Sequence, residues 1–179
     1  DALTYSATNG NVEITVDGNV LTVIPDADYN GPSIITVNVS DGQHTASTTF
    51  TLTINPVNDA PVLSDISDSS VAEDTDFELA LSATDVDGDS VTFDATVNGN
   101  GSASVDGSTL TVTPAADYNG DIEVTVSASD GSLIDTDTFT LSVTAVNDAP
   151  VVSSISDQAI DEDTTFVFEV SATDVDGDS

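Results

Sequence analysis

The sequence predicts an all-β fold of tandem β-sandwich repeats, each about 89 residues long and set head to tail. Three observations carry that expectation. Apolar residues recur with a period of two, Asp-Gly and Asn-Gly pairs punctuate the chain, and no segment has the 3.6-residue period of a helix. Successive side chains on a strand point to opposite faces, so a period of two marks a strand with one face buried.

Individual strands follow from that pattern. Phe77, Leu79, Leu81 and Ala83 alternate with Glu78, Ala80 and Ser82. Ile122, Val124, Val126 and Ala128 alternate with Glu123, Thr125 and Ser127, and Phe139, Leu141 and Val143 with Thr140 and Ser142. Earlier equivalents are Ile35, Val37 and Val39, then Phe50, Leu52 and Ile54. Thr and Val suit half-buried pleated strands. Asp17-Gly18, Asn30-Gly31, Asp41-Gly42, Asp106-Gly107, Asn119-Gly120 and Asp130-Gly131 supply turns. About seven strands per repeat without a helix reads as an immunoglobulin-like sandwich. Tyr29 and Tyr118 precede a long alternating strand, where a tyrosine corner is expected.

The repeat is visible as text. VNDAPV stands at 57–62 and 146–151, and PDADYNG at 25–31 answers PAADYNG at 114–120. VSDGQ at 39–43 answers ASDGS at 128–132, and ATDVDGDS stands at 83–90 and 172–179. Each of these pairs is offset by 89 residues. DALTYSAT at 1–8 aligns with DSVTFDAT at 89–96, so both ends fall within the octet. The expectation is a window about two repeats long from a longer array. It divides into the C-terminal part of one repeat (1–58), a complete repeat (59–147) and the N-terminal part of the next (148–179).

Composition limits function. The 179 residues include 33 acids, 27 of them Asp, and no Lys or Arg. High net charge with low hydrophobicity produces disorder, but 38% of this chain is apolar and patterned. The sequence therefore predicts a fold whose negative charge is offset by something else. Nucleic acid is excluded as a partner, because binding it needs Lys and Arg. No apolar run is long enough to predict membrane insertion. Without Cys, and with one His, thiolate and zinc sites are not expected. Divalent cations fit, because Ca2+ takes six to eight oxygen ligands and compact Asp carboxylates supply them. ATDVDGDS is not an EF-hand: Thr96 holds the twelfth position and no helices flank it.

These motifs resemble the cadherin-like tandem repeats of large secreted bacterial adhesins, many of the RTX type. The resemblance covers the whole chain. It implies that acidic motifs from neighbouring repeats converge on each linker and bind calcium. ATDVDGD is similar to the family's Asp-x-Asp stretch and supplies Asp85 and Asp87, with Asp89 in addition. VSDG and ASDG supply Asp41 and Asp130; VNDAP supplies Asn58, Asp59, Asn147 and Asp148. PDAD falls where the family carries an acidic motif and supplies Asp26 and Asp28. Glu73 and Glu162 stand near the family's early Glu. The implied first junction combines Asp26, Asp28, Asn58 and Asp59 with Asp85, Asp87, Asp89 and Asp130. The implied second combines Glu73, Asp117, Asn147 and Asp148 with Asp174, Asp176 and Asp178. The linker is one residue shorter than the usual form, Pro56 or Ala145 takes its first acidic position, and Ala115 replaces an Asp. These departures point to one or two ions per linker.

The reading is a calcium-rigidified extender of an extracellular or cell-surface bacterial adhesin or fibre. Its partners are neighbouring repeats of the same chain, or identical chains in a fibre. The alternative is a subunit of a self-assembling extracellular filament, joined by strand complementation between half-domains. An enzyme is not expected: His44 sits beside an Asp-Gly turn, and no nucleophile set or phosphate loop is present. A carbohydrate-binding module is poorly supplied, with no Trp and three Tyr for stacking.

Overall fold

The computed structural model describes residues 3–9 and 12–177. The chain divides into two compact units, one of residues 1–60 with 85–89, the other of residues 61–84 with 90–179. Every regular element among the described residues is a strand, and no helix is long and apolar enough to cross a membrane.

The first unit holds β1 (Thr4–Thr8), β2 (Val12–Asp17), β3 (Val20–Pro25), β4 (Gly31–Ser40) and β5 (Thr45–Ile54). β1, β4 and β5 form one antiparallel sheet, and β2 pairs with β3. Ile35 is fully buried. Ser33 is buried too, and the Asn9 amide nitrogen donates to its hydroxyl at 2.6 Å and to the Ile34 carbonyl at 2.7 Å. A buried hydroxyl without a partner would be costly, so the Asn9 amide makes Ser33 tolerable in the interior.

The second unit holds β6 (Val62–Leu63), β7 (Ser69–Ala72), β8 (Phe77–Ala80), β9 (Ala83–Thr84), β10 (Thr92–Val97), β11 (Gly101–Asp106) and β12 (Thr109–Pro114). β13 (Gly120–Ser129), β14 (Ile134–Thr144), β15 (Val151–Val152) and β16 (Ala172–Thr173) follow. One sheet runs β10, β13, β14, β7, and the other β11, β12, β8. β7 runs parallel to β14, while β8 runs antiparallel to β12. β6 pairs with β9, and β15 with β16. Between the two larger sheets lie Leu110, Val112, Ile122, Val124, Val126 and Leu141, all fully buried. Phe77 and Phe139 meet as tilted rings 6.0 Å apart. This is the sandwich core that the alternation predicts.

Turn chemistry prepares the sites. The Tyr118 hydroxyl donates to the Asp121 carbonyl at 3.0 Å, and Tyr29 makes the same bond to Pro32 at 3.1 Å. Each tyrosine thus ties itself to the carbonyl three residues further on. Gly120 sits at φ 134°, and a Cβ there would lie 2.9 Å from the Tyr118 hydroxyl, so a side chain is excluded. Asp28, Asp74, Asp117 and Asp163 all adopt left-handed φ values between 57° and 65°. Asp tolerates that region better than most residues.

Candidate metal centre

The acidic octet at 83–90 folds as a tight loop around its first aspartate. Asp85 Oδ1 accepts the backbone N–H of Asp87 at 2.9 Å and of Asp89 at 3.2 Å. This is the Asx-turn to which Asp is suited, and Gly88 follows at φ 81°. The other carboxylate oxygen, Asp85 Oδ2, is buried without a hydrogen-bond partner. An orphaned buried acceptor carries a desolvation penalty unless a donor or cation meets it.

The octet then grips the linker. The Asp59 N–H donates to Asp87 Oδ2 at 2.8 Å, and the Asn58 side-chain amide donates to the Asp59 carbonyl at 3.1 Å. Asp59, Asp87 and Asp28 line one cleft of about 250 Å³ with Tyr29, Asn30 and Pro56. Asp26 is exposed on the same turn as Asp28, and its carbonyl accepts the Tyr29 N–H.

The described residues of the second octet, 172–177, grip their linker in the same way. Asp174 Oδ1 accepts the Asp176 N–H at 3.0 Å, Asp176 Oδ2 accepts the Asp148 N–H at 2.6 Å, and the Asn147 amide donates to the Asp148 carbonyl at 2.8 Å. Here the opposite wall is also present. Glu73, only 4% exposed, accepts the Val146 N–H through Oε1 at 2.5 Å. Its own N–H donates to the Thr144 carbonyl. Asp74 Oδ1 accepts the Asp117 N–H at 3.2 Å.

Two carboxylate triads result. Oxygens of Glu73, Asp148 and Asp176 lie within 4.8 Å of one another, and so do those of Asp74, Asp117 and Asp148. Asp148, half-buried, belongs to both. Desolvation raises its pKa above the ordinary aspartate value, and the charges of Asp117, Asp176, Asp74 and Glu73 push it in the same direction. Calcium–oxygen distances are about 2.3–2.6 Å, so oxygens across one ion stand up to about 5 Å apart. The triads fit that spacing, and an all-carboxylate donor set suits a hard cation.

The remaining expected residues have other settings. Asp130 lies in the turn between β13 and β14, where its Oδ1 accepts the N–H groups of Ser132 at 2.6 Å and Leu133 at 2.7 Å. Asp41 does the same for Gln43 and His44, and those two amides, His44 first, lower its pKa. His44 Nδ1 stands 3.8 Å from Asp41 Oδ2 and is widely exposed. Glu162 is exposed in the segment between β15 and β16. Asp178 lies outside the described residues. Asp74 was missed by sequence reasoning; the Glu-Asp pair that recurs at 73–74 and 162–163 was the available signal.

Comparison with known proteins agrees with this architecture. Residues 58–144 match the family model described as a bacterial Ig domain, and residues 1–55 match that of a cadherin-like domain. No curated protein matches the chain. Among solved structures, human protocadherin-24 EC1-2 is similar at 15% identity and a TM-score of 0.52, over 83% of this chain and 84% of that one. Drosophila N-cadherin EC1-4 aligns with 98% of this chain and 51% of its own, at 17% identity and a TM-score of 0.45. An endo-fucoidan hydrolase of glycoside hydrolase family 107 aligns over 82% of this chain at 22% identity and a TM-score of 0.37. The chain spans only 24% of that hydrolase, a likeness too slight to bear on activity. Matches of this kind point to a structural or adhesive role outside the cell. By fold and by sequence match, the chain carries cadherin-like, immunoglobulin-like repeats.

Proposed function

We propose that the chain is a calcium-rigidified extender of an extracellular bacterial adhesin or surface fibre, with Asp148 at the centre of its best-formed junction. The observation that carries this reading is the shared position of Asp148 in two carboxylate triads, with its pKa raised by desolvation and four neighbouring acids. In a chain with no Lys or Arg, no side chain offsets that crowding. Bound calcium supplies the positive charge there.

The protein's own residues do the positioning. Glu73, Asp148 and Asp176 would hold one ion, and Asp74, Asp117 and Asp148 a second. The Asp148 N–H, held by Asp176, fixes the linker against the octet. Glu73, held by the Val146 N–H, presents its carboxylate from the sandwich side. Ligands from the turns that follow β7 and β12, from the linker and from the octet thus meet at one point, so occupancy would stiffen the linker. In the other unit, Asp28, Asp59 and Asp87 would begin the equivalent site, and the orphaned Asp85 Oδ2 supports a cation there. Asp26, Asp89, Asn58, Asn147, Asp130, Asp174 and Asp178 complete the proposed ligand and support set. The role is mechanical: sandwich strands of ten or eleven residues give rod segments about 35 Å long.

Calcium titration with small-angle scattering tests this. The reading expects saturable binding and a longer, stiffer particle in calcium than in excess chelator. Identical scattering profiles with no heat of binding would refute it.

A further inference from the structure

The sheet of β1, β4 and β5 contains no acid, in a chain that has 33. Its counterpart in the middle repeat, the strands β10, β13 and β14, carries Asp94, Asp121, Glu123, Asp135 and Asp137. On the outer face of the first sheet, hydroxyls and an amide stand in cross-strand rows. Thr4 lies opposite Ser40, Ser6 opposite Asn38 and Thr8 opposite Thr36.

β1 is also an edge. Among the described residues it pairs with β4 alone. That edge is a property of the repeat. In the middle repeat, where the strands and the octet that lead into it are described, the equivalent strand β10 is outermost too and pairs only with β13. The two edges differ in protection. The Asn98 N–H donates to the Glu123 carbonyl at 3.1 Å. Alternate residues of β10, Thr96 and Asp94, therefore turn their backbone groups to β13, while Ala95 and Phe93 turn theirs outward. The outward Ala95 N–H is closed by Asp94 Oδ1 at 2.9 Å. Charge on an edge strand discourages a further strand from pairing, and this carboxylate also occupies an edge donor. β1 has Ser6 in place of Asp94, and neither charge nor Pro. Ala7 lies opposite Val37 as Ala95 lies opposite Val126. By that shared register, Tyr5 and Ala7 present their N–H and C=O groups to the open edge.

We propose that β1 pairs side by side with β1 of a second copy, antiparallel about a two-fold axis through Ser6. Tyr5 of each copy exchanges backbone hydrogen bonds with Ala7 of the other. Ser6 then faces Ser6, and Thr4 faces Thr8, hydroxyl pairs that cross-strand neighbours favour. Charge selects the occupant. A cationic segment is drawn to the acids elsewhere on the surface, not to an edge without any. Two copies of so acidic a chain repel each other except where both lack carboxylates, and β1 meets that condition on both sides. β2 keeps Glu13 and Asp17 at exposed positions of a different sheet. Asp41 follows Ser40, at the Thr4 end of the edge, so the two-fold axis sets the two copies of Asp41 at opposite ends of the pair. The same patch serves both partners, so the contact closes as a dimer. One short strand makes a small contact, so the pairing is weak between dilute chains and strengthens where chains are crowded. It does not rest on the calcium reading.

The chain has no cysteine, so a single introduced one reports the register. Opposed residues of a non-hydrogen-bonded antiparallel pair have Cα atoms about 4.5 Å apart, within disulfide reach. Ser6→Cys should therefore give a disulfide-linked dimer on a denaturing gel after mild oxidation of a concentrated sample. Thr49→Cys, exposed on the same face but two strands in from the edge, should stay monomeric. Ala7→Pro removes an outward N–H and is a substitution that an edge strand tolerates; added to Ser6→Cys, it should abolish the dimer. Light scattering of the unaltered chain should show mass rising with concentration. Ser6→Asp, which restores the residue of the middle repeat, should remove that rise, and Asp94→Ser, which opens a second edge, should add species larger than a dimer. A Ser6→Cys chain that stays monomeric on oxidation, or that links equally well with Ala7→Pro, would overturn the proposal. The dimer should form in calcium and in excess chelator alike; its absence from both would sink edge pairing and leave the calcium reading standing.

Discussion

Phe139 and Phe50 hold the same place in two copies of one strand, yet the first is 2% exposed and the second 42%. Leu110 and Val112 are fully buried, while their counterparts Leu21 and Val23 are only half-buried. The side chains barely differ; the opposing strands do. Where β7 and β8 are present, alternation becomes a core. Among described residues 3–58 no strand pairs with β3 and β5 as β8 and β7 pair with β12 and β14, and the same alternation is less buried there. The acidic sites differ in the same way. Glu73 and Asp74 arrive with the chain that brings β7 and β8, and among the described residues the second site has both walls.

The largest expected contrast lies in the core. Phe139→Ala should cost about 3–5 kcal/mol, the usual loss for a buried aromatic. Phe50→Ala should cost less, roughly 1 kcal/mol, because Phe50 is already 42% exposed. Denaturant unfolding at low protein concentration checks both, and equal losses would break the comparison. Calcium removal comes next. At about 100-fold excess over its Kd, one site contributes about 2.7 kcal/mol, and chelation should lower the upper melting transition by roughly 10 °C or more.

Glu73→Gln sharpens the comparison of sites. Gln keeps an oxygen for the Val146 N–H but removes a charge, so calcium affinity at the second site should fall about 10-fold or more. Glu162→Gln should leave that site unchanged, since Glu162 belongs to neither triad; calorimetric titration separates the two.

Acidity should reverse sign with calcium. Without the cation, the folded chain holds the Asp148 proton to a higher pH than the unfolded chain does. That contribution is fully present below the ordinary aspartate value and is lost as pH rises through the raised one. Asp41, lowered by the His44 and Gln43 amides, acts oppositely: its contribution is present above the ordinary value and is lost as pH falls through the lowered one. With calcium, ligands must be deprotonated, so acid releases the ion. Acidification from neutral pH in chelator should therefore relieve the second site, and in calcium it should weaken it; melting curves at several pH values check this. The smallest effect is expected at His44→Ala, within about 0.5 kcal/mol, since its contact with Asp41 is exposed and long.

The strands were legible because Val124, Val126 and Ala128 keep strict alternation with Thr125 and Ser127, and a period of two has one structural meaning. The convergence of Asp148 with Asp176 was legible because VNDAP and ATDVDGD recur in register. Asp74 was not legible. In sequence it is one more turn acid, and its bond to the Asp117 N–H depends on two turns far apart in the chain. Asp135 and Asp137 were equally hidden. They read as solvent-facing strand residues, yet they accept the N–H groups of Leu63 at 2.8 Å and Ile66 at 2.7 Å, pinning the first edge of the sandwich to β14. Ser33 stands where the next repeat has Ile122, and only the Asn9 amide explains its burial.

Thermal unfolding of the wild-type chain and of Glu73→Gln, each in calcium and in excess chelator, tests the central claim most directly. The account predicts a large calcium-dependent rise in melting temperature for the wild type and a much smaller rise for the variant. Four superimposable curves would contradict it and leave the carboxylate triads as solvated turns.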